Sequence, residues 1–240
     1  MEERAAKITV VLPTYNEAAN LKRMVETLFG LELPGLNIIV VDDSSPDGTG
    51  RIADELWAEY PDKVRVIHRP GKMGLGTAYV AGFRRALAEG ADFVIEMDAD
   101  FSHPPTTLHT FLELIRDADV VVGSRYVSGG KVDEQWSPWR RFLSWSGNVY
   151  ARAVTGLRVH DTTAGFKCFR ASALAGIDLE RVHSDGYAFQ VEMAYACQRK
   201  GYRVREVPIT FLDRTQGKSK MSGRIIREAA WRVWQMKFRY

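Results

Sequence analysis

The chain has 240 residues, 45% hydrophobic and 26% charged, with a net charge of +3. That size and balance suit one folded domain with a full core and give no bulk electrostatic reason to bind nucleic acid. Two cysteines without metal-type spacing argue against a disulfide framework. The first residues lack an apolar signal core, and no stretch approaches the roughly 18 apolar residues of a spanning helix.

In chain order, Ile8–Leu12 is predicted as a buried strand and Glu17–Phe29 as a helix. Ile38–Val41 is a second strand, and a helix runs from about Thr49 to Tyr60. Val64–Ile67 is a third strand, followed by helix Thr77–Ala88. Phe93–Met97 is a fourth, followed by helix Thr106–Arg116, and Asp119–Val122 is a fifth. Short β-branched runs separated by helices predict a parallel sheet covered on both faces. From Ser128 to Ser146 the pattern loosens into Gly, Trp and Arg. A strand–turn–helix region follows over Thr162–Lys200, then a strand Arg203–Phe211, a polar loop and a last helix. One domain is expected over residues 1–240, ending in a basic amphipathic helix at about 222–240.

Ligands of such sheets bind beyond the carboxyl ends of the strands, and the polar motifs stand there. Asp98 and Asp100 end the fourth strand. Residues two apart in an extended segment point the same way, so the pair can converge on one hard cation, which can hold a diphosphate. The bland reading is a turn with two solvated acids. Tyr15 and Glu17 follow the first strand and suit base stacking and hydrogen bonding to a base or ribose. Thr14 or Asn16 is expected to cap the next helix. Asp43 follows the second strand and suits a ribose or base. Ser44, Ser45 and Asp47 shape its turn. The Gly71–Gly76 loop reads as a tight helix entry, with Lys72 a possible phosphate contact, and lacks the P-loop pattern. His103 reads as a turn-stabilising side chain. Arg125 ends the fifth strand, and Arg140 and Ser144 stand one helical turn apart, so they can meet one anion. Trp136, Trp139 and Trp145, set among arginines, suit a membrane interface. The loop Asp213–Lys220 suits a lid over a diphosphate. For the last helix two readings stand even: lying on a membrane, or packing on the sheet with a basic outer face.

Taken in order, these motifs resemble one family. Leu-Pro-Thr-Tyr-Asn-Glu, Val-Val-Asp-Asp-x-Ser-Pro-Asp-Gly-Thr, Met-Asp-Ala-Asp-Phe-Ser-His-Pro-Pro, Gly-Ser-Arg-Tyr-Val-x-Gly-Gly and Asp-Arg-x-x-Gly-x-Ser-Lys run as in polyprenol (dolichol) phosphate mannosyltransferases. Those are family-two glycosyltransferases of the GT-A fold, an α/β architecture with a mixed, mainly parallel sheet and helices on both faces. The resemblance spans Ile8 to Met221. Relatives that use other sugars carry Gln-Asp-Pro-Pro where this chain has Ser102-His103-Pro104-Pro105, which favours mannose.

The resemblance implies roles. Pro13, Tyr15, Glu17, Val41 and Asp43 would hold the guanosine of GDP-mannose. Asp98, Ala99 and Asp100 would bind its diphosphate and a divalent metal, Mg2+ or Mn2+. Some relatives supply a Gln ligand where Ser102 stands, which leaves Ser102 open. Arg125, Arg140 and Ser144 would grip the phosphate of a polyprenyl phosphate lipid, and Arg214 and Lys220 would close over the donor. Asp185, Gln190 and Glu192 would line the sugar pocket. The product would be β-mannosyl phosphoryl polyprenol, made with inversion by a peripheral protein on the cytoplasmic face of a membrane. Members without spanning helices often rely on a small membrane-anchoring subunit. Rival readings are a UDP-glucose-dependent transferase, an inactive membrane-surface nucleotide-binding module and, more distantly, a dehydrogenase, which would need a glycine fingerprint after the first strand.

Overall fold

The computed structural model describes residues 5–182, 184–213 and 223–239. Its main sheet has seven strands in the order β3-β2-β1-β4-β7-β5-β8. These are β1 (Ile8–Thr14), β2 (Leu36–Asp42), β3 (Val64–His68), β4 (Phe93–Glu96), β5 (Val120–Ser124), β7 (Lys167–Arg170) and β8 (Val204–Pro208). All neighbours are parallel except β7, which runs antiparallel between β4 and β5. A small parallel pair, β6 (Lys131–Val132) with β9 (Thr210–Phe211), stands apart.

Side chains alternate across a strand, and two cores follow from that. Val10, Leu12, Ile38 and Val40 pack on one face with helices α1 (Leu21–Phe29), α2 (Thr49–Glu59) and α4 (Thr107–Leu114). Val11, Ile39 and Val41 pack on the other with α3 (Leu75–Ala88), α6 (Ala171–Ala175) and α7 (Gly186–Arg199). In α1 the buried residues Leu21, Met24, Val25 and Leu28 form the one-sided stripe of an amphipathic helix. Helix α3 lies so close to β1 that a Cβ on Gly82 would stand 2.3 Å from Val11 Cγ1. A third, smaller core joins α7 to α5 (Pro138–Thr155) and α8 (Gly223–Arg239) through Ala151, Val191, Tyr195, Val233 and Met236.

Three expectations need correction. The first helix starts at Leu21, not Glu17, and neither Thr14 nor Asn16 caps it. Asn16 has φ 63°, and the following amides of Glu17 and Ala18 donate to Thr49 Oγ1 and Asp47 Oδ2. The segment is thus tied across to the β2–α2 loop instead of starting a helix. Second, residues after Ser137 form the long helix α5, with Pro138 in its first turn and Ser137 Oγ accepting from the Arg140 amide. Within it only Asn148 and Ala151 are buried, so no core period marked it in the sequence. Third, the strand expected over Arg203–Phe211 is two strands in different sheets, broken at Ile209.

Candidate functional site

The carboxyl ends of β1, β2 and β4 lie on one edge of the sheet, and the predicted residues gather there. Pro13 lies in β1, and Val41 is buried in β2. Asp43 is buried, and Arg69 Nε donates to its Oδ1 at 2.5 Å while the Met73 amide donates to its Oδ2 at 3.2 Å. Arg69 also donates to Thr77 Oγ1 and Gly74 O, so it fastens the 71–77 loop to the end of β2. Lys72 Nζ lies 4.0 Å from the centre of the half-exposed Tyr15 ring. Glu17 Oε2 accepts from Asn20 Nδ2 at 2.8 Å.

The acidic turn after β4 is held from several sides. Tyr79 OH donates to Asp98 Oδ1 at 3.0 Å, from a ring buried between Phe83 and Phe189. Burial and the nearby Asp98 carboxylate push the Tyr79 phenol well above its ordinary pKa, so it stays a donor. The Asp98 amide donates to His103 Nδ1 at 3.2 Å, and the Ser102 amide donates to Asp100 Oδ1 at 3.0 Å. Phe101 takes φ 62° between them, which turns the chain sharply. Ala99 and Asp100 are buried, and Ser102 Oγ is buried without a hydrogen-bond partner among the described residues. His103 serves the turn, stacked on Phe166 at 4.9 Å.

Phe211 joins this turn to the basic residues. Its ring lies 5.6 Å from His103, 5.7 Å from Trp136 and 5.4 Å from the Arg125 guanidinium. The Leu212 amide donates to Ser102 O at 3.2 Å, pinning β9 beside the acids. Arg125 is buried, and its Nε and Nη2 donate to Asp161 at 2.7 Å each. Arg140 Nη1 and Nη2 donate to Asp213 at 2.6 and 3.2 Å, and its guanidinium lies 4.0 Å over Trp136. Ser144 Oγ accepts from Tyr126 OH at 2.7 Å. The acidic turn and both arginines therefore form one continuous cluster.

Other predicted residues have structural partners. Asp185 caps α7 through the Gly186 amide and also accepts from the Gly76 amide at the start of α3. A Cβ on Gly74 would stand 2.4 Å from that carboxylate, so glycine is required at this entry. Gln190 and Glu192 are buried, Gln190 Oε1 accepting from Lys167 Nζ and Glu192 Oε2 from the Ser184 amide. Trp136 is buried, unlike the exposed Trp139 and Trp145. Arg214 and Lys220 lie outside the described residues. Sequence reasoning missed Arg69, Tyr79, Asp161 and Phe211. Only Arg69 and Phe211 stood near a strand end; Tyr79 sits within a helix period, and Asp161 in a loop with no periodic signal.

Comparisons with known proteins place the chain in a family. The glycosyl transferase family 2 profile matches residues 9–177. The chain is 47% identical over 236 residues to an undecaprenyl-phosphate mannosyltransferase of Micrococcus luteus, covering 98% of this chain and 96% of the relative. It is 48% identical over 226 residues to a polyprenol monophosphomannose synthase of Mycolicibacterium smegmatis, covering 93% and 84%. Among solved structures it resembles a mannosyl-3-phosphoglycerate synthase of Rubrobacter xylanophilus, with a TM-score of 0.66, 18% identity, and coverage of 97% and 73%. The fold is GT-A, and the chain belongs to glycosyl transferase family 2 as a glycosyltransferase.

Proposed function

We propose that this protein transfers mannose from GDP-mannose to a polyprenyl phosphate with inversion, giving β-mannosyl phosphoryl polyprenol and GDP. The observation that carries the reading is the junction at Phe211, which sets the Asp98–Asp100 turn beside Arg125 and, through Trp136, Arg140. A diphosphate leaving group and a phosphate nucleophile need that pairing of acids and bases. The names of the two relatives support mannose and a polyprenyl phosphate.

In this reading Pro13, Tyr15, Glu17, Val41 and Asp43 hold the nucleoside. The donor set after β4 is all oxygen: Asp98, Asp100 and the buried Ser102 hydroxyl without a described partner. That set fits Mg2+ or Mn2+, which keep phosphate and water oxygens in their shell. Among the described residues no third acid, histidine or cysteine joins the pair. When bound, the metal would offset charge on the departing diphosphate.

The nucleophile brings its own charge. A phosphate monoester has a second pKa of about 6, so it is largely a dianion at neutral pH and needs no general base. His103 fits this economy of proton transfer, because burial outweighs the nearby acids and lowers its pKa below the ordinary value. Arg125 and Arg140 would offset the acceptor's charge and aim it at the anomeric carbon. Arg214 and Lys220 would cover the donor.

The setting is the cytoplasmic face of a membrane, bound peripherally, alone or with an anchoring subunit. Among the described residues no helix is long and apolar enough to cross a membrane. Support comes from α5, whose Trp139, Phe142, Trp145 and Val149 are exposed along one face, and from exposed Trp231, Trp234 and Phe238 on α8. Val233 and Met236 of α8 are buried against α5 and α7, so the helix packs on those two helices and not, as one of its two sequence readings expected, on the sheet, and its outer rings are left for a membrane surface.

The test is mannose transfer to a polyprenyl phosphate, with GDP-mannose and UDP-glucose run in parallel, with and without a chelator. Transfer should require GDP-mannose and stop with chelator, and Asp100→Ala should lose metal-dependent turnover. Equal use of UDP-glucose would defeat the donor assignment, and full activity in Asp100→Ala the metal assignment.

A further inference from the structure

We propose that Asp161 is a positioning residue that sets the orientation of Arg125 toward the acceptor phosphate. The inference rests on reading Arg125 as an acceptor ligand. Asp161 is fully buried, and its carboxylate serves mainly Arg125, with one longer bond accepted by Oδ1 from Thr163 Oγ1 at 3.4 Å. Oδ2 accepts from the Arg125 amide at 2.9 Å and from Nε at 2.7 Å, while Oδ1 accepts from Nη2 at 2.7 Å. The side chain is thereby held at both its root and its tip. Thr163 Oγ1 accepts a further bond from Nη2 at 2.8 Å. Tyr126 and Phe211 bracket the guanidinium, each ring centre 5.4 Å from Cζ. Only Nη1 has no hydrogen-bond partner among the described residues, and it is not sealed from solvent. A planar fork fixed along one edge presents the remaining nitrogen in a single direction.

Other side chains also fasten the loop that carries Asp161. Asn148 Oδ1 accepts from the Thr162 amide and hydroxyl at 2.7 and 2.8 Å. Glu206 accepts from the amides of His160 and Asp161 at 2.9 and 3.0 Å. With the loop already fastened to α5 and β8, the carboxylate is left to hold the arginine. Asn148 also lies on the helix that carries Arg140 and Ser144, one turn beyond Ser144. The loop therefore registers Arg125 against the other two residues assigned to the acceptor. Buried ion pairs add little net stability over apolar packing, which agrees with a role in orientation.

The test is steady-state transfer from GDP-mannose to a short-chain polyprenyl phosphate by the full chain carrying Asp161→Asn, Arg125→Met, both, or Thr163→Val. Misplacing the arginine should lower acceptor kcat/KM by about 10–100-fold in Asp161→Asn and leave the GDP-mannose KM unchanged. The double variant should be no worse than Arg125→Met alone, because Asp161 acts through Arg125. Thr163→Val should raise the acceptor KM in the same direction by a smaller factor. Unchanged acceptor kinetics in Asp161→Asn, or losses that multiply fully in the double variant, overturn the inference while leaving the acceptor reading intact. Unchanged acceptor kinetics in Arg125→Met overturn the acceptor reading, and the inference falls with it. If Asp161→Asn does not fold, Thr163→Val decides: an unchanged acceptor KM is the refuting result.

Discussion

His103 and Asp161 are both buried, but they respond to acid in different windows. Burial lowers the His103 pKa, despite the attraction of Asp98 and Asp100, so the folded ring stays neutral with Nδ1 accepting from the Asp98 amide. In the unfolded chain the same ring takes a proton near its reference pKa of about 6.5. Stability should therefore fall as pH drops below that value until the folded ring takes its own proton, with a slope from this group of at most about 1.4 kcal/mol per pH unit. Urea unfolding at pH 7, 6 and 5 should show a shallower slope in His103→Asn, whatever its baseline; parallel slopes would contradict a neutral buried ring. For Asp161, burial alone would raise the pKa, but the Arg125 charge and hydrogen bonds outweigh it and lower it. Its contribution is present above the unfolded carboxylate pKa of about 3.9 and is lost as pH falls through the still lower folded value. The sequence revealed Asp98, Asp100 and Arg125 because each follows closely on a strand within a recognisable run, although β4 stops at Glu96 and the two acids lie in a turn, not in the extended segment expected. It concealed Asp161 because its partner lies 36 positions away.

At the scale of elements, β7 is the strand that the spacing of motifs least revealed. Strands β1 to β5 could be read from β-branched runs between helices, whereas β7 is Lys-Cys-Phe-Arg, with a charge at each end. Its lysine belongs inside. Lys167 is the register partner of Glu96 on β4, and its Nζ donates to Glu96 Oε1 at 2.7 Å and to the carbonyl of Ala164. Burial raises the Glu96 pKa, and the Lys167 charge opposes that only in part. Lys167→Met should destabilise the protein by about 3–5 kcal/mol, because it strands a buried carboxylate. Adding Glu96→Leu should recover most of that loss, since apolar replacements of a buried pair are often neutral. Denaturant midpoints of the single and double variants measure this; equal losses in both would mean that packing, not charge, dominates. Helix α5 escaped for the opposite reason. Its apolar face points outward, so the search for a buried stripe had nothing to find.

For the whole molecule, the outward rings of α5 and α8 matter more than the net charge. Trp139 is 68% exposed and Phe238 80%, while α8 packs on α5 and α7. Rings exposed on two packed helices suit the headgroup depth of a bilayer. Trp139→Ser with Trp145→Ser should weaken binding to anionic phospholipid vesicles by about tenfold or more, from the 1.5–3 kcal/mol that burial of one large apolar side chain is worth. Co-sedimentation measures it, and unchanged partitioning would show that these rings do not enter the lipid. The sheet order bears on how the molecule is made. Strands β1 to β4 are neighbours, but the far side of β4 is closed only by β7, after α5. At about 5–20 residues per second of synthesis, that rim would stand open for several seconds. An open apolar rim invites strands from other chains, and an inward-pointing charge is one defence against them. Before Lys167 emerges, the Glu96 carboxylate would be the group that deters such pairing, a safeguard for the nascent chain that ends as a buried ion pair.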